Sequence, residues 1–394
     1  MADAKGSATD FLDAVRELAP QIRAAASEIE AGRRLPLHLV RQMERAGFFG
    51  MAMPKEWGGP ALDFPSQVRV IEALSAIDAS VGWCVMIGVD GGFMTAFIDQ
   101  KLARSMYPDI NVATAITFAP PGKAVKKGDG FVVNGRWPFG SGCQHAPWLI
   151  GHFAIFDGDT PRIGPGGFPE TRFGFLPVKE CEILDTWNTM GLRGSGSHDW
   201  TVKDGFIPEE RTFNLAAPTH YRKGPLHTLP NLLLYKVVGV PLGIARGAID
   251  DFIAMASTKP LTFKSPVAKQ SMLRDEAFAQ NAVAQAEALV SSARGFVYEA
   301  FEDIWHTLAS GEMPSLRQRA RGRLAASHGS AACAQAVELL CRANGGSTVY
   351  SGNPFERRLR DILTANQHTV VSLRTWEATG RVLMGLEHNL GMLF

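Results

Sequence analysis

The sequence predicts an α+β protein, mainly α, with an N-terminal helical domain over residues 1–111, a middle β domain over 112–212 and a C-terminal four-helix bundle over 213–394. Three changes of period predict it. From Asp10 to Asp109 apolar residues recur at three- and four-residue spacing, beginning with Phe11, Val15, Leu18, Ile22, Ala26 and Ile29, and Asp10 is placed to cap the first turn. Helices are also expected over Leu37 to Ala46 and Phe64 to Ile77. Between Val112 and Pro208 the runs are short, rich in β-branched and aromatic residues, and broken by Gly, Pro and Asp. Strands are expected over Ala113–Phe118, Gly130–Trp137, Trp148–Phe156, Arg172–Val178 and Trp200–Ile207. Helical period then returns in four long stretches, Val240–Ser257, Val267–Leu308, Leu316–Ala343 and Ile362–Leu386, as an antiparallel bundle requires.

Composition narrows the function. A chain of 394 residues that is 46% hydrophobic and 20% charged buries a large core, and a net charge of +1 argues against nucleic acid as the main partner. The five cysteines contain no CxxC pair, so neither a disulfide framework nor a metal site is expected, and a reducing cytoplasm is the simpler home. The N-terminus shows no basic segment followed by an apolar one, and no uninterrupted apolar run reaches membrane-spanning length, so no membrane partner is expected. Gly194-Ser195-Gly196-Ser197 does not complete a GxGxxG loop, because Asp199 stands at the third glycine and a strand follows. No Rossmann-type nicotinamide site is therefore expected in the chain.

Two segments carry chemistry. Gly135 to Trp148 reads GRWPFGSGCQHAPW, in which an aromatic residue can wall a flat ring while a short hydroxyl reaches its edge. Gly345 to His368 reads GGSTVYSGNPFERRLRDILTANQH, with no acid anywhere from Ile362 to Trp376. Taken with GFFGMAMPKEWGGPALDF from Gly47, EALSAIDASVGWCV from Glu72 and TMGLRGSGSHDWTVKDGFIPEER from Thr189, these resemble, in order and spacing, the acyl-CoA dehydrogenase superfamily across nearly the whole chain. In its dehydrogenases a carboxylate after the Arg-Asp pair removes a substrate α-proton. Here His368 takes that neighbourhood, and Arg211 to Ile249, the alternative home of the base, has no acid either. The family's TEP-type flavin motif is likewise replaced by TFAPPGKAV, Thr117 to Val125. This pattern resembles the two-component, group D flavin-dependent monooxygenases.

That resemblance implies an oxygenase component that receives reduced flavin, FMNH2 in preference to FADH2, from a separate NAD(P)H-dependent reductase. It adds O2 at flavin C4a and transfers one oxygen to an aromatic or heteroaromatic small molecule. It also implies a homotetramer, to which the surplus apolar face of four long C-terminal helices adds weight. By the same resemblance Trp137, Phe139, Ser141 and Gly142 contact the flavin, Ser141 at N5, and Gly345-Gly346 meet a neighbouring subunit's cofactor, or form a helix C-cap. His368 is the catalytic imidazole, either hydrogen-bonding the oxygen adduct or taking a substrate proton, and a continuous helix from Ile362 places it two turns from Asp361. His145 lines the pocket or serves as a structural hydrogen-bonder, Asp90 binds substrate in place of a second histidine or is a turn acid, and Cys143 packs. The flavin phosphate falls to Lys259, Lys264 or Arg274. Two other readings stay open: a dehydrogenase or oxidase with a relocated base, and a non-catalytic assembly subunit of the same fold.

Overall fold

The computed structural model of the chain describes residues 6–164, 167–260 and 271–387. Seven helices come first: α1 (Ala8–Ala24), α2 (Ala26–Gly32), α3 (Leu37–Arg45), α4 (Phe64–Ile77), α5 (Ala79–Gly88), α6 (Asp90–Met94) and α7 (Gln100–Met106). The cap of α1 is Ser7 rather than Asp10. Ser7 Oγ accepts from Asp10 N at 3.3 Å and Asp10 Oδ2 accepts from Ser7 N at 2.9 Å, a reciprocal box in which the acid is the second member. Asp63 and Asp78 cap α4 and α5 in the usual way, Asp78 Oδ1 accepting from Ser80 N and Val81 N.

Among the described residues every strand falls between Thr114 and Phe213: β1 (Thr114–Lys127), β2 (Gly130–Gly140), β3 (Trp148–Asp157), β4 (Thr160–Pro161), β5 (Thr171–Pro177), β6 (Glu182–Leu184), β7 (His198–Pro208) and β8 (Thr212–Phe213). They form one sheet in the order β6-β7-β2-β1-β3-β5-β8, with β4 beside β3; only the β1 and β3 pair is parallel. A register shift in β1 between Thr117 and Gly122, and another in β2 between Trp137 and Gly140, mark where both strands leave regular pairing. Both breaks lie beside the site.

Helices α8 (Pro225–Thr228) and α9 (Leu232–Tyr235) lead into α10 (Gly239–Ala256), α11 (Ala277–Ala309), α12 (Leu316–Asn344), α13 (Pro354–Ala365) and α14 (Leu373–Leu383). Two expectations are corrected here. The stretch expected to begin at Val267 becomes helical only at Ala277, after a short turn over Leu273–Asp275. The helix expected over Ile362–Leu386 is two helices, because the β-branched run Thr369, Val370, Val371 resists the helical rotamer and forms a single 3-10 turn instead. His368 caps that turn, with its Nδ1 accepting from Val370 N at 3.3 Å. It therefore faces the site from an extended backbone, not from a helix.

Two helical stretches, Ala79–Phe97 and Leu232–Ala256, are long and apolar enough by composition to span a bilayer, but each is interrupted by charge, at Asp90 in the first and Lys236 in the second, and they are 94% and 89% buried in the protein's own core. Such all-round apolarity belongs to a central helix. Helix α10 packs along α4, so the C-terminal bundle and the N-terminal helices share one core. Gly243 permits that approach: a Cβ there would stand 2.2 Å from Glu72 O.

The three parts of the chain meet at α13. Arg357 donates to Asp78 Oδ2 at 2.6 Å and to Ala26 O at 2.9 Å, and lies 3.4 Å from Glu30 and 3.7 Å from Asp361. Asp361 Oδ1 accepts from Leu192 N at 2.6 Å, and Gly191 lets the backbone of α13 approach so closely that a Cβ would sit 2.2 Å from Arg360 O. Leu192 is held at φ 49°, a left-handed conformation that a side chain adopts only when its surroundings enforce it. Replacing Asp361 with Ala removes that acceptor and part of the charge balance of Arg357. Urea unfolding of this variant is expected to show a loss of about 2–4 kcal/mol.

Candidate active site

A cavity of about 1610 Å³ opens between the sheet and the two helical layers. Its walls are Trp83, Met86 and Ile87 of α5, Thr117 and Phe118 of β1, Phe139 and Ser141 at the end of β2, and Trp187 and Ser197 from the segment before β7. Leu233 and Leu234 of α9 and the turn after α13, with Gln367, His368 and Val370, close it. The volume exceeds the roughly 300–1,000 Å³ of an ordinary small-molecule pocket and has room for two ring systems side by side.

Strict alternation along β2 would place Trp137, Phe139 and Ser141 on one face. The backbone prevents it, because Phe139 has φ 61° and the strand bulges there. Trp137 is turned away from the cavity: its indole stacks on Trp200 with centroids 4.2 Å apart and donates to His152 O at 2.7 Å. The expected aromatic wall is therefore supplied without it, by Phe139 and the edge-on ring of Trp187, 6.2 Å away. Gly142, at φ 73°, makes the turn beneath Ser141 and does not line the cavity. His145 sits under the same turn against Phe49, its imidazole pushed down to about 4 by burial. It has no place on the cavity wall, and its buried Nε2 has no hydrogen-bond partner among the described residues. Cys143 is buried with its thiol raised to about 12, a packing residue.

Ser141 and His368 are brought together through a residue that sequence reasoning did not single out. Trp83 donates from Nε1 to Ser141 Oγ at 2.9 Å and presents its ring to His368 at 5.8 Å, nearly edge-on. Burial, with a smaller contribution from the charge of Arg323, lowers the His368 imidazole to about 4. The ring is enclosed by protein on most sides and partly accessible only where it meets the cavity. It is thus neutral at physiological pH, and with Nδ1 accepting from Val370 N its proton resides on Nε2. A neutral imidazole so held is a hydrogen-bond donor at Nε2 and a poor base.

Asp90 begins α6 and lines the cavity, where it is ion-paired and hydrogen-bonded to Lys236, itself 2% exposed. Burial raises the Asp90 carboxyl and Lys236 works against that rise. Asp90 is the one carboxylate among the described residues that line the cavity. Its ammonium partner was missed because a lone lysine in an apolar helix carries no spacing signal. Trp83 and Ser197 escaped notice for a related reason: α5 is apolar on every face, and a serine in a glycine-rich turn has the look of turn chemistry.

The expected cofactor glycines lie elsewhere. Gly345 and Gly346 are exposed at the end of α12 and do not line this cavity. Lys259 reaches the same turn, donating to Asn344 O, Asn344 Oδ1 and Ser347 Oγ at 2.5 to 2.8 Å. Arg274 is an exposed side chain 3.8 Å from Asp275, and Lys264 lies outside the described residues.

Residues 7–100 match the model of the acyl-CoA dehydrogenase N-terminal domain, and residues 236–373 match that of its C-terminal domain. The chain belongs to the acyl-CoA dehydrogenase family. Its relatives place it within that family. An indole-3-acetate monooxygenase of Acinetobacter baumannii is 28% identical over 380 residues, covering 94% of this chain and 93% of the relative. The flavin-dependent monooxygenase oxygenase subunit HsaA of Mycobacterium tuberculosis is 28% identical over 376 residues, covering 92% and 91%. The crystal structure of the HsaA monooxygenase superimposes with a TM-score of 0.85 at 25% identity over 98% of this chain and all of that one. This acyl-CoA dehydrogenase family member is an oxidoreductase, a flavin-dependent monooxygenase of the oxygenase-component type.

The cavity fits a flavin. Trp83, Phe139 and Trp187 offer apolar faces for the ring system, while the Ser141 and Ser197 hydroxyls gather polarity at one edge. Because His368 titrates near 4, the sign of its pH response is fixed: it is neutral from neutral pH down to about 5 and gains charge only below that. In histidine-labelled protein, nitrogen NMR is expected to show the Nε2-H tautomer of His368 unchanged between pH 8 and about pH 5.5, as against the ordinary midpoint near 6.5.

Proposed function

We propose that this family member is the oxygenase of a two-component system that takes reduced flavin from a separate NAD(P)H-dependent reductase and uses O2 to oxygenate an aromatic or heteroaromatic small molecule. One observation supports it above the others: the position facing the ring site holds a neutral histidine donor, while the cavity's single carboxylate among the described residues is locked to Lys236. A site for α-proton abstraction would present a free carboxylate there. Bound reduced flavin supplies the electrons that activate dioxygen. The chain's own part is to orient, to exclude water and to hold protons at stated atoms.

In this reading Ser141 Oγ meets the polar edge of the flavin ring, and the walls formed by Met86, Ile87, Leu233 and Leu234 keep water from the reacting oxygen. His368 Nε2-H stabilises negative charge that develops on oxygen, the donor role its tautomer permits. Asp90, backed by Lys236, anchors a polar hydrogen of the substrate at the far end of the cavity. FMN is preferred to FAD because, among the described residues, the cluster of Lys259, Asn344 and Ser347 beside Gly345-Gly346 offers one cation, which suits a monophosphate of a neighbouring copy. Exposed apolar side chains flank that cluster, with Val349 77% and Tyr350 72% exposed, as an interface between copies of the chain requires.

Two measurements test the reading. His368→Ala is expected to keep reduced-FMN affinity within about threefold but to lose roughly 10²-fold in product formed per flavin oxidised, with the balance released as hydrogen peroxide. His368→Asn, which retains a donor, is expected to recover much of the coupling. Equal loss in both variants would make proton acceptance the essential role, and parental coupling in both would make the histidine structural. Light scattering at micromolar concentration is expected to return a homotetramer, and a monomer there would remove the neighbouring-copy phosphate site.

A further inference from the structure

Ser141 is not an isolated hydroxyl. Its Oγ lies 2.7 Å from Ser197 Oγ, which lies 2.6 Å from Ser195 Oγ, and all three serines are buried. Trp83 Nε1, which can only donate, approaches Ser141 from the other side at 2.9 Å. The chain of hydroxyls runs from deep in the protein to the cavity wall: Ser195 is 1% exposed and absent from the lining, while Ser197 and Ser141 are part of it.

The hydrogens of this chain can be counted. Three hydroxyls own three hydrogens, and two links between them use two. If the chain ran inward, Ser195 would have to donate the third, and its hydroxyl has no other partner among the described residues. A buried hydroxyl hydrogen left without an acceptor costs about 1–3 kcal/mol. Two arrangements use every buried hydrogen, each with Ser195 donating to Ser197: either Ser141 also donates to Ser197, which delivers the third into the cavity, or the chain runs outward, Ser197 donating to Ser141, which delivers it. In the outward chain Ser141 accepts twice, from Trp83 and Ser197, so both of its lone pairs are occupied and it is left only as a donor. Each hydrogen bond accepted along the chain also strengthens the next one donated.

We propose that the chain runs outward and that Ser195 and Ser197 are positioning residues that fix the direction of the Ser141 hydroxyl, so that Ser141 presents a hydrogen to an acceptor atom of the bound ring. Resting on the flavin reading above, the acceptor is a carbonyl oxygen or an unprotonated ring nitrogen, not a ring N–H. Ser195 thereby governs a contact that it does not touch.

The test is a double-mutant cycle read by binding, with oxidised FMN as the probe and both fluorescence quenching and the position of the visible absorption band as signals. Ser195→Ala is expected to weaken FMN binding about threefold to tenfold and to shift the band in the same sense as Ser141→Ala does. In the Ser141→Ala background, Ser195→Ala is expected to add less than a twofold change, because the hydrogen it directs is already gone. Thermal melts of each variant exclude general unfolding as the cause. Additive losses in the cycle, or a Ser195→Ala protein with parental affinity and spectrum, would overturn the relay while leaving the flavin site in place. A Ser197→Ala effect that persists undiminished in the Ser141→Ala background would make Ser197 the terminal donor and overturn the assignment to Ser141. Parental protein that binds no FMN at millimolar probe would sink the flavin reading and the relay with it.

Discussion

The site depends on one largely enclosed ionic node. Arg357 of α13 faces Asp78, Glu30 and Asp361, and each comes from a different place: the junction of α4 and α5, the helix α2, and α13 itself. A half-buried guanidinium gains little net stability from such partners, since desolvation offsets most of the Coulomb attraction, but it penalises every arrangement that leaves the buried Asp78 or Asp361 unpaired. The node therefore acts as a locator. It fixes α13 against the N-terminal helices, Asp361 fixes the Leu192 backbone against α13, and the residues that follow each of these, His368 on one side and Ser195 and Ser197 on the other, inherit their positions.

The architecture was legible where one periodicity dominated. Helix α4 occupies Phe64–Ile77 and the five expected strand cores all fall in strands, because alternation and threefold spacing report burial directly. The resemblance to a known family, carried by short motifs spread along the chain, added what periodicity cannot: the order of the layers and the meaning of a missing carboxylate. Legibility failed where a local backbone preference competed with the pattern. The three β-branched residues after His368 break a helix that apolar spacing alone would continue, and the left-handed residue at Phe139 breaks the alternation that would have put Trp137 on the cavity wall.

The candidate site was legible in part for a different reason. His368, Ser141, Phe139 and Asp90 do line one cavity, and each stood in a segment whose residue types were unusual for its place. Trp83, Ser197 and Lys236 stood in segments where they looked ordinary. A tryptophan in an apolar helix and a serine between glycines are common, and only their distances, 2.9 Å from indole nitrogen to Ser141 and 2.7 Å from Ser197 to Ser141, separate them from packing and turn residues. Such polar networks are a property of three-dimensional register, which one-dimensional spacing does not encode.

Phe139 also bears on how the pocket can change. Its ring is 67% exposed at the cavity mouth while its backbone holds φ 61°, so the side chain contributes little burial and the conformation itself costs on the order of 1 kcal/mol. Most routes to a wider binding site sacrifice core packing and are paid in stability. At this position the residues that open the mouth, glycine and asparagine, are the ones that the backbone prefers. Fold stability therefore asks little of Phe139, and the aromatic side chain is accounted for by the ring-binding wall that it makes with Trp187.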